Sequence, residues 1–532
     1  MMRVRALLCC MRQKQKIVFA LLLCLISLLL LILIVDITRI NGYTPVDNIR
    51  THLKTVFGPK LVQHVDIPIK TRIDEETFYE NLSKEQVNLA GYFWYDQVQK
   101  QGKTLRYNET CAQIPELIDL KFVNVDWQLL TLPDASFQLY SAYLDNRDAN
   151  QLGSVIRILG MVSVDTQIND KLLFPDVYCQ IWSKHSQQPI MTKVFAVDYL
   201  WRDYWGKPQK STYHPYMLTC VLPENYQYIP EAVSLVGKPC AKATNLLKVT
   251  YEHDENIPEG TPDAKICVCV KGVSEFEDKS LQMIEWAEWL KQMGVQHVYM
   301  TVYHLHESTQ KVLDYYTQKG FITQAKLHLA GNDPNSPHLQ HIFHQSPRYN
   351  IQFDLIAFND CLLRNMYRYE YVIPVELDEI PMVKDTSKST LQEVLKDMPK
   401  DKDAYVLQRV PFIQEISSTG DENLFGLPGF LTFLNSVYRV KPEKDQTVSI
   451  KCLFNTQTMV MIHNHYPFMS LSGKIVSHDV PLSIANVEQH LDKCPDDKID
   501  CRKRKIFEAR KWDFKDEIIL KVGRVMNDLG YF

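Results

Sequence analysis

A chain of 532 residues, 45% hydrophobic and 23% charged, has ordinary globular composition and is longer than one hydrophobic core usually serves. More than one folded domain is therefore expected. The formal net charge of −4 leaves no broad basic surface and gives no case for nucleic acid as a partner.

The first element is an uncharged run of 19 residues, Ile17 to Val35, which as a helix nearly crosses a hydrocarbon core of roughly 30 Å. Arg3, Arg5, Arg12, Lys14 and Lys16 precede it with no acidic residue among them. The positive-inside bias then makes 1–16 a cytosolic tail and 17–35 a transmembrane signal anchor, and sends the rest across the membrane as a single-pass type II protein. A cleaved signal peptide is the alternative, but it has a shorter apolar region and a small-x-small site, which Val35-Asp36-Ile37-Thr38 does not offer.

Of 13 cysteines, ten lie beyond the anchor, an even number able to form up to five disulfides in an oxidising lumen. Cys494 and Cys501 are spaced for a local bridge, whereas Cys267 and Cys269 fall on one face of a strand and read as packed side chains. No Cys-x-x-Cys pair points to a zinc ribbon or a thioredoxin-like site. Asn81-Leu82-Ser83 and Asn108-Glu109-Thr110 are glycosylation acceptor sequences.

Residues 36–118 read as a polar stem, with a helix over Glu85 to Lys100. Residues 119–258 change to short aromatic and β-branched runs, Phe137–Leu144, Ser154–Val164, Val177–Trp182 and Tyr216–Leu222. These predict an all-β module of sandwich type. Its Trp182, Trp201 and Trp205 either fill the core or line a carbohydrate-binding face.

Residues 259–490 switch to alternation of two periods. Strands are predicted at Ala264–Val273, Val295–Tyr303 and Phe321–Leu329, with helices at Ser280–Met293 and Ser308–Lys319 stopped by Gly294 and Gly320. Such alternation builds a parallel sheet whose ligands bind beyond the carboxyl ends of the strands. No dinucleotide or Walker A fingerprint sits at a strand–helix junction. Residues 491–532 form a C-terminal extension, with Arg502-Lys503-Arg504-Lys505 as a solvated helix start.

Gln352 to Arg368 is a predicted helix with Leu355, Phe358, Leu362 and Met366 on one face. It runs into Tyr369–Glu379, an apolar strand that ends in Glu376, Asp378 and Glu379. On a strand Glu376 and Asp378 share a face. Their paired hard oxygens suit Mn²⁺ or Mg²⁺, and such a cation neutralises the charge that develops on a departing phosphate. A solvated acidic strand end is the competing reading. Pro374 within the strand implies a bulge or an edge position.

The run Phe358-Asn359-Asp360-Cys361-Leu362-Leu363-Arg364-Asn365, then Tyr369-Glu370-Tyr371-Val372, then Leu377-Asp378-Glu379, resembles glycosyltransferase family 92. The earlier Leu139-Tyr140-Ser141-Ala142-Tyr143-Leu144-Asp145 and the later His463-Asn464-His465-Tyr466-Pro467 are similar to it as well. The resemblance implies an α/β, GT-A-type (Rossmann-like) domain that follows the all-β module. It also implies transfer of galactose from UDP-galactose, with inversion, to a glycan or glycoprotein acceptor at the Golgi membrane. By the same resemblance Glu376 and Asp378 hold the metal with His465 as third ligand and His463 as the alternative. Lys451 and Asp354 lie toward the donor, and the base that deprotonates the acceptor is one of Glu415, Asp421 and Glu422. The family commonly has Asp where this chain has Glu376, which keeps the charge but reaches one methylene further. Two other readings remain. One is an inactive glycosyltransferase-like carbohydrate-binding protein, the other a glycoside hydrolase that uses two carboxylates and no metal.

Overall fold

The computed structural model describes residues 75–532, apart from 97–110, 113, 170, 185–187, 203–204, 253–264, 332–346, 419–425, 442–448, 495–500 and 532. The expected cytosolic tail, the anchor over Ile17–Val35, Asn108, Asp421 and Glu422 lie outside the described residues. Among those described, no helix is long and apolar enough to cross a membrane. The chain is mixed α/β.

The β-rich region holds β1 (Gln128–Leu132), β2 (Ala135–Asp145), β3 (Val155–Val164), β4 (Tyr178–Trp182), β5 (Ile190–Tyr199), β6 (His214–Val221), β7 (Ala232–Val236) and β8 (Leu247–Thr250). They pair in the order β1-β2-β8-β7-β4-β5-β6-β3, and β3 pairs again with β2. The sheet therefore closes on itself and is barrel-like instead of the expected sandwich. Closure is possible because β2 is long. One edge carries β1 along Ala135–Leu139 and β8 at Ala142–Tyr143, while β3 takes the other edge. Inward residues such as Phe137, Leu139, Ile156, Ile158 and Leu218 are fully buried. Trp182 and Trp201 are also buried, so core filling is the correct reading for these two.

Upstream, α1 (Glu75–Glu85) ends where a helix over Glu85–Lys100 is expected, and α2 (Gly91–Tyr95) follows as a separate short turn. Leu89 forms a bridge with Leu247 of β8, and Leu89, Ala90 and Phe93 pack on Trp182, Ala232 and Leu246. Burial against the barrel breaks the local helical pattern at that point. Asn81 is exposed on α1, as a glycosylation site requires.

The second sheet includes β9 (Ile266–Ser274), β10 (His297–His304), β11 (Ile322–Lys326), β12 (Tyr371–Pro374), β13 (Glu379–Val383), β14 (Ala404–Ile413), β15 (Ile450–Asn455) and β16 (Ala485–Leu491), with three shorter strands at its margin. The expected parallel order is present in β11-β10-β9-β12. Beyond β12 the sheet turns antiparallel through β15 and β14, and β16 joins β13 to β14. Pro374 explains part of this. On the β9 side Val375 N–H reaches Cys269 O at 3.1 Å, while the β15 ladder stops at Val372. The missing proline N–H thus costs the sheet no bond.

Helices α3 (Ser280–Gln292), α4 (Glu307–Gln318), α5 (Pro347–Asn365) and α6 (Lys515–Asp528) flank this sheet. Met283, Ile284, Trp286, Ala287 and Leu290 of α3 are buried, and Ile518, Val522 and Val525 of α6 enter the same core. Gly294 ends α3 with φ +87°, a left-handed turn in which a Cβ would also run into the Gln392 amide. The α5 face carrying Phe353 and Leu363 packs on the barrel. There Asp360 accepts from Tyr143 and from Tyr299 at 2.8 Å and pairs with Arg364 at 3.1 Å.

The cysteines follow the oxidising expectation. Cys111–Cys240, Cys179–Cys220, Cys269–Cys361 and Cys494–Cys501 are bridged, and Cys267 and Cys452 are free and buried. Cys269 is a disulfide partner, which corrects its reading as a merely packed side chain.

Buried Glu285 of α3 accepts the backbone N–H groups of Phe433 and Leu434 at 3.0 and 2.8 Å. Burial outweighs these bonds and raises its carboxyl from a usual value near 4.5 to about 7. The folded chain then keeps a proton that the unfolded chain releases. Stability from this group is complete below about pH 4.5 and is lost as pH climbs to about 7. Glu285→Gln imitates the protonated form, so its stability relative to wild type should improve by roughly 2–3 kcal/mol between pH 4.5 and 7.5. Urea unfolding at both pH values measures this, and an unchanged difference would contradict the assignment.

Candidate active site

The carboxyl ends of β9, β10 and β12 open into a cavity of about 630 Å³, lined among others by Lys271, Gly272, Tyr303, Asp354, Glu376, Asp378, His490 and Asp492. The strand that precedes the acidic motif stops at Pro374. Glu376, Leu377 and Asp378 therefore form a turn, closed by Glu379 N–H to Glu376 O at 3.0 Å, instead of the strand end expected from sequence. Trp286 of α3 pins that turn from below, its indole N–H donating to Glu376 O at 3.1 Å and Glu379 O at 3.0 Å.

The turn's carboxyls differ in their surroundings. Glu379 is fully buried, takes Lys451 Nζ at 2.8 Å and Arg409 Nη1 at 3.0 Å, and also accepts Glu376 N–H at 2.9 Å. It is a structural anchor. Glu376 faces Lys271 Nζ at 3.1 Å and Lys451 Nζ at 3.8 Å, and accepts Asn464 Nδ2–H at 3.1 Å. Burial opposes its charge, but the two lysines and Asn464 outweigh that and hold the carboxyl at about 2. Asp378 accepts Gln489 Nε2–H at 3.1 Å, and no cation pairs with it among the described residues. Burial, then the charges of Glu379 and Glu376, push it up to about 6. Asp354 of α5 shares Lys271 at 3.7 Å and is raised by burial to about 7. Lys271 lies closer to Glu376, which explains why Glu376 takes the charge.

Lys451 is fully buried and donates to Asn464 Oδ1 at 2.5 Å. It braces the acidic turn from beneath and does not line the cavity. His465 does not line it either. Its Nδ1–H donates to Ile450 O at 2.8 Å, and its pKa falls to about 4 through burial and then Lys451. His463 accepts His465 N–H on Nδ1 at 3.2 Å and packs among Trp205, Tyr466 and Phe468, so aromatic packing is its role here. Glu415 is half-exposed, stands 3.7 Å from Arg502 and is not part of the lining.

His490, which sequence reading passed over, stands at the cavity wall, but its ring lies on the face of β16 opposite Gln489, the residue that reaches Asp378. It is buried between Phe412 and Phe433, with Nε2 3.5 Å from Glu488 Oε2. Burial, then Lys511, lowers its pKa to about 4, which keeps the ring neutral. Its backbone N–H donates to Asp378 O at 2.7 Å, tying β16 to the acidic turn. Lys271, Trp286, Arg409 and Asp492 were also missed. The isolated polar residue in a run such as Ile266–Ser274 was the one available signal for Lys271.

Among the described residues no three His, Cys, Asp and Glu side chains converge into a ready-made cation cage. The residues nevertheless suit a divalent cation. Asp378 is a carboxyl with no cation beside it among the described residues, and Glu376 and Asp354 on the same cavity add hard oxygens once Lys271 moves.

A family model described as glycosyltransferase family 92 matches residues 264–521. No curated protein matches the chain. Among solved structures, a putative glucose-1-phosphate thymidylyltransferase from Bacillus anthracis, in complex with sucrose, is 11% identical over 36% of this chain and 72% of that one, with a TM-score of 0.20. A siderophore interacting protein from Acinetobacter baumannii is 11% identical over 40% and 73%, with a TM-score of 0.10. Likenesses this low carry no argument.

Proposed function

Because the chain belongs to glycosyltransferase family 92, and so takes a sugar donor and an acceptor, we propose that it is a metal-dependent inverting galactosyltransferase using UDP-galactose and a glycan or glycoprotein acceptor. The observation that carries this reading is the acidic turn Glu376–Glu379, set at the carboxyl end of a parallel strand and facing a cavity with Asp378 uncompensated. The parallel run β11-β10-β9-β12 with its cavity at the strand ends supports a GT-A-type domain. The apolar run at Ile17–Val35 and the four disulfides support a type II anchor with the catalytic domain in the Golgi lumen.

In this reading Mn²⁺ or Mg²⁺ would be held by Asp378, with Glu376 as exchangeable second ligand, and would offset charge on the departing diphosphate. Asp378 does this as a carboxylate already destabilised by its neighbours, so a cation relieves strain that the fold has built in. Glu379, locked by Lys451 and Arg409, fixes the turn's backbone and so the direction of Asp378. Lys451 acts toward the donor through that turn, not by direct contact. Asp492, which follows β16 on the cavity rim, is placed to take the proton of an acceptor hydroxyl.

The choice of base is testable. Asp492→Asn should lower kcat by about 10²–10⁴-fold. Glu415→Gln, which breaks an exposed pair with Arg502, should stay within about threefold of wild type. Unchanged turnover in Asp492→Asn would return the role to Asp421 or Glu422. The reaction itself is tested by supplying the full-length chain with UDP-galactose, Mn²⁺ and galactose- or fucose-terminated acceptors, and reading the product linkage by NMR. A β-galactoside is expected from the α-linked donor. An α-linked product would overturn inversion.

A further inference from the structure

Four carboxyls, Asp354, Glu376, Asp378 and Glu379, gather around the acidic turn, and three cations answer them. Two of these cations are fixed. Arg409 and the fully buried Lys451 hold Glu379, and Lys451 is held in turn by Asn464. Lys271 differs. Its side chain keeps 33% of its exposure, it lines the cavity, and its ammonium bridges Glu376 at 3.1 Å and Asp354 at 3.7 Å. It also leaves β9 where the ladder with β10 loses its regular register, between Val270 and Val273. A flexible four-carbon stem at that point reaches either the carboxylates or the open cavity. Lys271 Nζ stands 3.1 Å from Glu376, so the position that a metal would occupy is already served by an ammonium.

We propose that Lys271 is an exchangeable counter-ion: it holds Glu376 and Asp354 in the resting protein, and it passes to the phosphate oxygens when a divalent cation and a nucleoside diphosphate arrive together. The inference rests on the metal-dependent donor reading above. A cation alone must expel the ammonium with no anion to receive it, and so binds weakly. A cation with a diphosphate gives Lys271 a new partner, so each ligand strengthens the other. Lys451, fully buried between Glu379 and Asn464, has no such freedom.

Mn²⁺ binding to the full-length chain, followed by the EPR signal of free Mn²⁺ with and without UDP, tests this without any turnover. In wild type, UDP should tighten Mn²⁺ binding about tenfold or more. Lys271→Met keeps the apolar stem and removes the charge. It should bind Mn²⁺ alone about tenfold more tightly than wild type and lose most of the coupling to UDP. Lys271→Arg should restore weak binding of Mn²⁺ alone, and Lys271→Gln repeats the neutral case should the Met variant unfold. Coupling in wild type with unchanged Mn²⁺ affinity in both neutral variants would overturn the inference and leave the parent reading standing. A wild type that binds neither Mn²⁺ nor UDP would remove both.

Discussion

Asp378→Asn should abolish transfer, lowering kcat by at least about 10²–10³-fold, while the protein stays folded. The carboxyl's hydrogen bond from Gln489 survives in an amide that still presents an oxygen. Its charge is disfavoured in the fold by burial and by Glu379 and Glu376, so its loss should leave the urea midpoint equal to wild type or higher. Loss of activity together with a gain in stability is what a functional carboxylate in a strained place produces. Retained transfer would remove Asp378 from the mechanism, and a collapsed midpoint would make it structural.

Lys451→Met is expected to do the reverse and damage the fold first. The ammonium is fully buried, 2.8 Å from an equally buried Glu379. Removing it leaves Glu379 with Arg409 alone and takes a cation from Glu376. Breaking a buried pair in this way costs about 3–5 kcal/mol, because one charge is left without its partner in a low dielectric. The double variant Lys451→Met, Glu379→Gln should recover part of that loss, since the uncompensated charge is gone. Equilibrium urea unfolding measures both. A single variant within about 1 kcal/mol of wild type would show that Arg409 suffices.

Legibility in the sequence followed the range of the forces involved. Strand and helix periods are local, and β2, β3, β6, β9 and α3 fall within a few residues of their expected limits. Closure of the barrel was not legible, because it depends on β2 pairing with β8 across more than a hundred residues. The α2 region failed for a related reason: the Leu89–Leu247 bridge overrides a helical pattern.

The same division runs through the site. Glu376, Asp378 and Glu379 stood out as three carboxylates closing an apolar run, and they do face the cavity or brace it. Lys271 lies 105 residues before Glu376, on another strand, and only its isolation as a polar residue in an apolar run marks it. His465 and His463 drew attention because the stretch His463–Pro467 resembles the family, and they flank one asparagine. That asparagine, Asn464, is the residue of the three that touches Glu376. The turn at 376–378 was read as strand because Pro374, which ends the ladder, lies inside the apolar run.

The central claim is a metal-assisted transfer from a nucleotide sugar at this cavity. Its most direct test is release of UDP from UDP-galactose by the full-length chain with acceptor glycans present, in Mn²⁺ and again in EDTA. Release that needs Mn²⁺, stops in EDTA and returns when Mn²⁺ is added back is the predicted result. Release that continues in EDTA, or none from UDP-galactose under any of these conditions by a folded protein, would contradict it.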